Sequence, residues 1–367
     1  MKKNSTSSYD GLALFSGGLD SILAARIIQE QGLRVLGLHF VSPFFGHPGK
    51  IREWEDLYQI PLKMVDVSSE FVNMLCQGPA HGLGKTLNPC IDCKILMLTR
   101  ARQLLKDFGA DFIISGEVIG QRPMSQRRDA LDIIKRDADV KDVLVRALSA
   151  RLLPPTGPEQ SGLIDREKLG AVSGRGRKEQ LRMARKFGIS PIPTPAGGCL
   201  LTEKESAKRY LPVLISKKMP GPADLHLANT GRQLWHKNHW LCIGRNQDDN
   251  ARLASLADQS DYLIKLKSFP GPLGLARPLD STPWPEQVLE SACRLMSGFS
   301  PKARQSGLPV QVLIRQGDQT REIQVGPDQP DPDLVWTEPI WDQDLVQTFK
   351  TIQEKSPPAD TQDGTDH

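Results

Sequence analysis

No stretch of 18 or more apolar residues occurs in the 367-residue chain, and its start, Met1-Lys2-Lys3-Asn4-Ser5, leads into no signal-like apolar segment. Neither a membrane span nor a secretory leader is expected, and the chain reads as a soluble, cytoplasmic protein. A disulfide scaffold is also unexpected. Six cysteines are few for this length, and a reducing compartment points instead to metal, redox or core roles. Nor is there a strong excess of charge. A net charge of +4 and a pI near 8.7 permit a nucleic-acid partner without demanding one. An apolar content of 39% can supply ordinary cores, and the length suits two domains.

What the chain does have comes early. Leu12-Ala13-Leu14-Phe15 reads as a buried parallel strand, and the run from Ile22 to Ile28 has helical apolar spacing. Between them lies Ser16-Gly17-Gly18-Leu19-Asp20-Ser21, a turn of small residues. Backbone N–H groups and a helix N-terminus aimed at one point form an anion site, usually for phosphate. Glycine lets the backbone approach the ligand, and Ser16 and Ser21 add hydroxyls. Asp20 is the odd member, because a carboxylate beside phosphate needs a divalent metal or a proton-transfer role. A tight turn without a ligand is the plain alternative. The Gly-Lys-Ser/Thr ending of a Walker A loop is missing. In its context the turn resembles the pyrophosphatase-type loop (PP-loop) of ATP-dependent adenylating enzymes.

Further strands are expected at residues 34–40, 62–67, 111–116 and 143–146, with helices at 51–58 and from about Cys93 to 108. This alternation predicts an α/β, doubly wound parallel sheet with helices on both faces. Ligands in such sheets bind outside the carboxyl ends of the strands, which puts the 16–21 turn, His39, Gly116 and Glu117 on one rim. Two basic clusters stand out: Arg122, Arg127 and Arg128, then Arg175, Arg177, Lys178, Arg182, Arg185 and Lys186. Each reads either as a solvated face or as a contact for nucleic acid.

The cysteines divide into two groups. Cys90 and Cys93, in Asn88-Pro89-Cys90-Ile91-Asp92-Cys93, open a helix, where the N-terminus and nearby cations favour thiolate. Cys199, in Pro195-Ala196-Gly197-Gly198-Cys199, has small neighbours that leave its sulfur accessible. Chance pairing or a redox disulfide is the alternative, and no second Cys-x-x-Cys or His pair completes a structural zinc site. Cys76, Cys242 and Cys293 lie among apolar neighbours and read as core.

Two segments carry a specific resemblance. Ser115-Gly116-Glu117-Val118-Ile119-Gly120-Gln121-Arg122-Pro123-Met124-Ser125-Gln126 resembles the Gly-Glu-x-x-Gly-Gln-x-x-Ser-Gln segment of ThiI-type tRNA 4-thiouridine synthetases. The Asn88–Cys93 stretch is similar to the Asn-Pro-Cys-x-x-Cys segment of MnmA-type tRNA 2-thiouridylases. The resemblance spans residues 10–212. Lys178 to Gly188 is similar to the helix after those enzymes' Arg-Pro-Leu segment, where Arg146-Ala147-Leu148 stands here without proline. It implies a HUP-like PP-loop domain over residues 8–215 that adenylates a uracil carbonyl and then transfers sulfur, giving AMP and pyrophosphate. The 4-thiouridine type is expected, with 2-thiolation, another substrate, or a non-catalytic RNA-binding module as alternatives.

The implied ATP site comprises Ser16, Gly17, Gly18, Asp20, Ser21, His39, Gly116, Glu117 and Gln121, with Mg²⁺ beside Asp20. Asp20, Cys90, Cys93 and Cys199 are the implied catalytic residues. The three cysteines would hold a [4Fe-4S] cluster, or one would carry a persulfide that a second resolves. The sulfur donor would be a cysteine desulfurase or inorganic sulfide. The N-terminal RNA-binding domains of ThiI-type enzymes and a rhodanese-like domain are expected to be missing, so something else must hold tRNA.

Beyond the turn-rich residues 217–222, Trp240-Leu241-Cys242-Ile243-Gly244-Arg245-Asn246 and Asn250 resemble the Gly-Arg-Asn-x-x-x-Asn signature of NFACT-R RNA-binding domains, although Tyr262-Leu263-Ile264 replaces the usual Trp-x-His. A smaller α+β domain is expected over residues 216–350, with a helix from Glu286 to Met296 and a hairpin about Gly317-Asp318. An accessory domain without RNA contact is the alternative. Arg122, Arg127, Arg128, Arg245, Asn246 and Asn250 are the implied RNA contacts, residues 356–367 read as a disordered tail, and a homodimer is an open assembly.

Overall fold

The computed structural model describes residues 8–193, 198–280, 282–326 and 333–355. The tail expected from residue 356, and residues 195–197 beside Cys199, lie outside them. The chain divides into two compact units, Met1–Thr202 and Glu203–His367. Among the described residues, no helix is long and apolar enough to cross a membrane.

In the first unit β1 (Gly11–Leu14), α1 (Leu19–Gln29), β2 (Val35–Val41), α2 (Ile51–Tyr58), β3 (Leu62–Asp66), α3 (Ser68–Gln77), α4 (Cys90–Phe108), β4 (Phe112–Ile114), α5 (Arg128–Asp137) and β5 (Leu144–Val145) follow in order. The strands form a parallel sheet in the order β3-β2-β1-β4-β5. The expected doubly wound sheet is therefore present. Its layers follow from the two-residue period of a strand. Ala13 and Phe15 pack on the face covered by α1 and α2, with Ile22, Leu23 and Trp54. Leu12 and Leu14 pack on the other face with Leu98 and Ala101 of α4 and Ile134 of α5. Central β1 is buried on both sides, so it is apolar throughout.

The second unit is an antiparallel sheet in the order β11-β10-β8-β9-β7-β6, built from β6 (Arg232–His236), β7 (His239–Ile243), β8 (Tyr262–Leu266), β9 (Leu273–Arg277), β10 (Val310–Gln316) and β11 (Gln319–Val325). The hairpin turns at Gly317-Asp318, as expected, with Gln316 opposite Gln319. Helix Glu286–Ser297 packs on the sheet through Leu289, Ala292, Cys293 and Met296. Cys242 and Cys293 are buried core residues as their neighbours implied, and Cys76 is half-buried.

Candidate functional site

Between β1 and α1 the backbone turns sharply. Gly17 has φ +77°, and a Cβ there would stand 2.4 Å from the Trp54 ring, so only glycine fits. Ser21 is buried. Its hydroxyl donates to the Gly18 carbonyl at 2.8 Å and accepts from the Ser16 N–H at 3.2 Å. The Gly18 N–H points to the Ser16 hydroxyl at 3.4 Å. Ser21 thus shapes the turn, while Ser16 is exposed at its mouth.

Asp20, in the first turn of α1, is held from outside its own element. Gln121 Nε2 donates to Asp20 Oδ2 at 2.7 Å, and the fully buried Gln180 donates from Nε2 to Gln121 Oε1 at 3.1 Å. Asp20 Oδ1 is buried and has no hydrogen-bond partner within the protein. A carboxylate oxygen left open in this way fits a cation or a ligand donor. Gly116 serves packing: a Cβ would stand 2.5 Å from the Asp20 carbonyl oxygen and 2.8 Å from the Ser21 nitrogen. Gly116→Ala must therefore displace the turn. We expect a cost of about 1–3 kcal/mol in urea unfolding together with weakened ATP binding; unchanged affinity by calorimetry would show that the close approach is dispensable.

The polar wall holds a buried ion pair. Arg146 Nε lies 3.1 Å from Glu117 Oε2, both side chains under 5% exposed, and Arg146 also donates to the Leu131 carbonyl at 2.9 Å. Burial alone would raise the Glu117 carboxyl, but Arg146, Lys94 and the Ser115 hydroxyl outweigh it and hold its pKa below the ordinary value. Glu117 Oε1 and Gln126 Oε1 are buried without partners. The absence of proline after Arg146 leaves the segment well formed: the Ala147 and Leu148 carbonyls accept from Gly170 and Val172 at 2.8 Å each.

His39 sits on the rim with both ring nitrogens occupied. Nδ1 donates to the Phe15 carbonyl at 3.0 Å, and Nε2 accepts from the His47 N–H at 2.9 Å. Burial lowers its pKa, reinforced by His47, and the ring is neutral in this arrangement. It fixes the end of β1 and the connection after β2.

Cys90 and Cys93 open α4, and the segment before it brings in the third thiol. Leu200 N–H donates to the Phe44 carbonyl at 2.9 Å and Leu87 N–H to the Leu201 carbonyl at 3.2 Å, which docks residues 198–202 on the approach to α4. All three cysteines line one pocket of about 250 Å³ together with Ser16, Asp20, Ser21, Lys94, Glu117 and Gln126. Asn88 Nδ2 donates to Cys90 Sγ at 3.1 Å. The expectation that the helix N-terminus favours thiolate in the Cys90–Cys93 pair is corrected at Cys93. Burial pushes Cys93 up to about 12, against the pull of Lys94. Burial also raises Cys199, and the Cys93 and Cys90 sulfurs add to the shift. Among the described residues, no three His, Cys, Asp or Glu side chains stand close enough to share one metal ion. As donors, three cysteine thiols lining one pocket are of the kind that holds an iron–sulfur cluster.

The other expected residues are scattered. Gln121 holds Asp20, Arg122 lines the pocket, and Arg127 and Arg128 are exposed at the start of α5, with Arg127 paired to Asp129 at 2.5 Å. In the second unit the Gly-Arg-Asn signature builds a helix start. Asn246 accepts from the Asp249 N–H at 2.8 Å as the cap of helix Gln247–Leu256. Arg245 pairs with Asp249 at 2.7 Å, and Asn250 Oδ1 accepts from the Leu273 N–H at 3.0 Å. Gln180, Lys94, Arg146 and Gln126 were missed as site residues, although Lys94 directly follows Cys93 and Gln126 ends the quoted Ser-Gln segment.

Comparison with known proteins agrees with these motifs. Residues 6–148 match the family model described as thiamine biosynthesis protein (ThiI), and residues 231–333 match the NFACT protein RNA binding domain. The chain is 29% identical over 136 residues to a probable tRNA sulfurtransferase of Thermococcus kodakarensis, which covers 35% of this chain and 34% of that protein. It is 30% identical over 128 residues to the tRNA-specific 2-thiouridylase MnmA of Petrotoga mobilis, which covers 29% and 35% respectively. The chain thus spans about a third of the length of these curated relatives. A solved 4-thiouridine synthetase–RNA complex with bound ATP is 21% identical, with a TM-score of 0.36, covering 52% of this chain and 44% of that one. The resemblance to PP-loop tRNA thiolation enzymes with an NFACT-R-like domain is borne out.

Proposed function

We propose that this protein catalyses ATP-dependent thiolation of a uridine in tRNA, of the 4-thiouridine type, acting in the cytoplasm. The observation that carries the reading is the single pocket on which the 16–21 turn and Cys90, Cys93 and Cys199 converge. ATP would place its phosphates against the backbone of Ser16, Gly17 and Gly18 and the start of α1. Mg²⁺ held by Asp20 would neutralise phosphate charge, and the open Oδ1 suits that role. The uracil carbonyl oxygen attacks the α-phosphorus, the bond to the β-phosphate breaks, and pyrophosphate leaves. Positioning and charge stabilisation dominate such a step. Sulfur then adds at the activated ring carbon, and AMP leaves with the former carbonyl oxygen.

A [4Fe-4S] cluster on Cys90, Cys93 and Cys199 would supply an iron with an open position for a sulfide. In the persulfide alternative one cysteine delivers the sulfur and a second closes a disulfide onto it. The donor would be a cysteine desulfurase or inorganic sulfide. The Asn88–Cys93 segment and the MnmA match favour a second reading, 2-thiolation.

Nucleoside mass spectrometry of tRNA from a deletion strain tests both. Loss of 4-thiouridine supports the first and loss of a 2-thiouridine the second, whereas an unchanged thiouridine profile rejects thiolation of tRNA. Protein purified without oxygen is expected to carry iron and sulfide, and a colourless, iron-free, active preparation would exclude the cluster.

A further inference from the structure

Two basic clusters, some fifty residues apart in sequence, meet in space. Ile119 and Ser173 form a parallel β-bridge, and the Gly174 N–H donates to the Ile119 carbonyl at 2.7 Å. A Cβ on Gly120 would stand 3.7 Å from the Gly174 nitrogen, so the two glycine backbones touch. Gln121 and Gln180 then bond side chain to side chain at 3.1 Å. These contacts set the segment that carries Arg122 against the one that carries Arg175, Arg177 and Lys178. Arg122 also lines the pocket that holds Asp20 and the cysteines, so the joined cluster lies at that pocket's mouth.

The charges there are free. Arg122, Arg175 and Lys178 are exposed, Arg177 is half-buried, and among the described residues no ion pair engages any of the four. The nearest carboxylates in sequence are already taken: Glu179 by Arg182 at 2.9 Å and Glu117 by Arg146 at 3.1 Å, and Asp129 further on by Arg127 at 2.5 Å. Arg177 and Lys178 also stand at the start of helix Lys178–Lys186, where the helix dipole adds positive potential. Cations grouped on one rim reinforce one another's field over a Debye length of about 8 Å at physiological salt. In the second unit, by contrast, Arg245, Asn246 and Asn250 are engaged in capping and strand contacts.

We propose that this joined rim is the docking track for the sugar–phosphate backbone of the RNA that flanks the reacting uridine, placed on the first unit itself. The inference rests on the thiolation reading above. A backbone held there would let one base turn into the pocket while the neighbouring phosphates stay on the arginines. Phosphate contacts of this kind fix register without reading sequence.

The test is the salt dependence of tRNA-transcript binding by the full chain, measured by anisotropy between about 50 and 200 mM salt, where each phosphate contact contributes roughly 0.7 to 0.9 to the log–log slope. For the triple variant Arg175→Gln, Arg177→Gln, Lys178→Gln, we expect a slope flatter by about two and affinity about tenfold weaker. The comparison is Arg100→Gln, Arg102→Gln, Lys106→Gln on the later turns of α4, which lead back to the opposite end of β1. That variant should keep the parent slope. A parent slope retained by the rim variant, or equal flattening in both, overturns the inference while the thiolation reading stands. A parent protein that binds no tRNA overturns both.

Discussion

Asp20→Ala is expected to reduce ATP–pyrophosphate exchange by about 10²–10³-fold or more, the usual effect of removing one preorganised electrostatic group, while tRNA binding survives. The carboxylate is held from two directions, by its place on α1 and by Gln121 at 2.7 Å, and it leaves Oδ1 open. A negative charge so near the phosphate turn repels ATP unless a cation intervenes. The sign of the effect on binding therefore depends on magnesium. With magnesium, ATP should bind Asp20→Ala more weakly than the parent; without it, the variant should bind at least as well. Calorimetry in both conditions separates this role from simple loss of structure, which would weaken binding in each. Exchange that persists in Asp20→Ala would remove Asp20 from the mechanism. Gln180→Leu, which leaves Asp20 in place but frees Gln121, should show a weaker version of the same pattern.

The features legible in the sequence are those that local periodicity and short motifs encode. The Leu12-Ala13-Leu14-Phe15 run reads as a strand buried on two faces because alternate residues meet different helices. The glycines of the turn are legible because backbone approach demands them, and the Gly317-Asp318 hairpin because its turn chemistry is local. Contacts made across long sequence separations left no such trace. Gln180 is an ordinary helix residue until the chain brings it to Gln121, 59 positions away. Cys199 reaches the other thiols only because residues 200 and 201 bond to Phe44 and Leu87. Thiol acidity was misread for a related reason. The helix N-terminus is visible in sequence, but the desolvation that outweighs it at Cys93, and that also raises Cys199, is a property of the assembled pocket. The asparagines of the second unit carry structural contacts that their motif alone does not reveal, Asn246 as a helix cap and Asn250 as acceptor for the Leu273 N–H.

The buried pair of Glu117 and Arg146 gives the largest expected loss of stability. Removing one partner of such a pair strands the other charge, at a cost of about 3–5 kcal/mol. Arg146→Met should cost this much in the first unit at neutral pH, with the bond to the Leu131 carbonyl lost as well. Hydrogen exchange of the β4 and α5 amides can follow that unit separately from the second. The pH dependence then has a definite sign. In the parent the Glu117 pKa is depressed, so its contribution is complete above the unfolded-state value of about 4.3 and is lost as pH falls through the lower folded value. In Arg146→Met burial acts with less opposition, the Glu117 pKa rises, and protonation relieves the stranded charge. The gap between parent and variant should therefore narrow as the solution is acidified. A gap that stayed constant from neutral to acid pH would mean that the arginine acts by packing alone. Glu117→Gln combined with Arg146→Met removes both charges and should recover much of the lost stability, because a buried pair can be replaced by neutral groups at little net cost. Catalysis should not recover with it. Glu117 lines the pocket and its Oε1 has no partner within the protein, and a neutral amide supplies no charge there. Stability restored without activity would place this pair in both roles, holding the sheet's rim closed and setting the charge of the wall that the substrate meets.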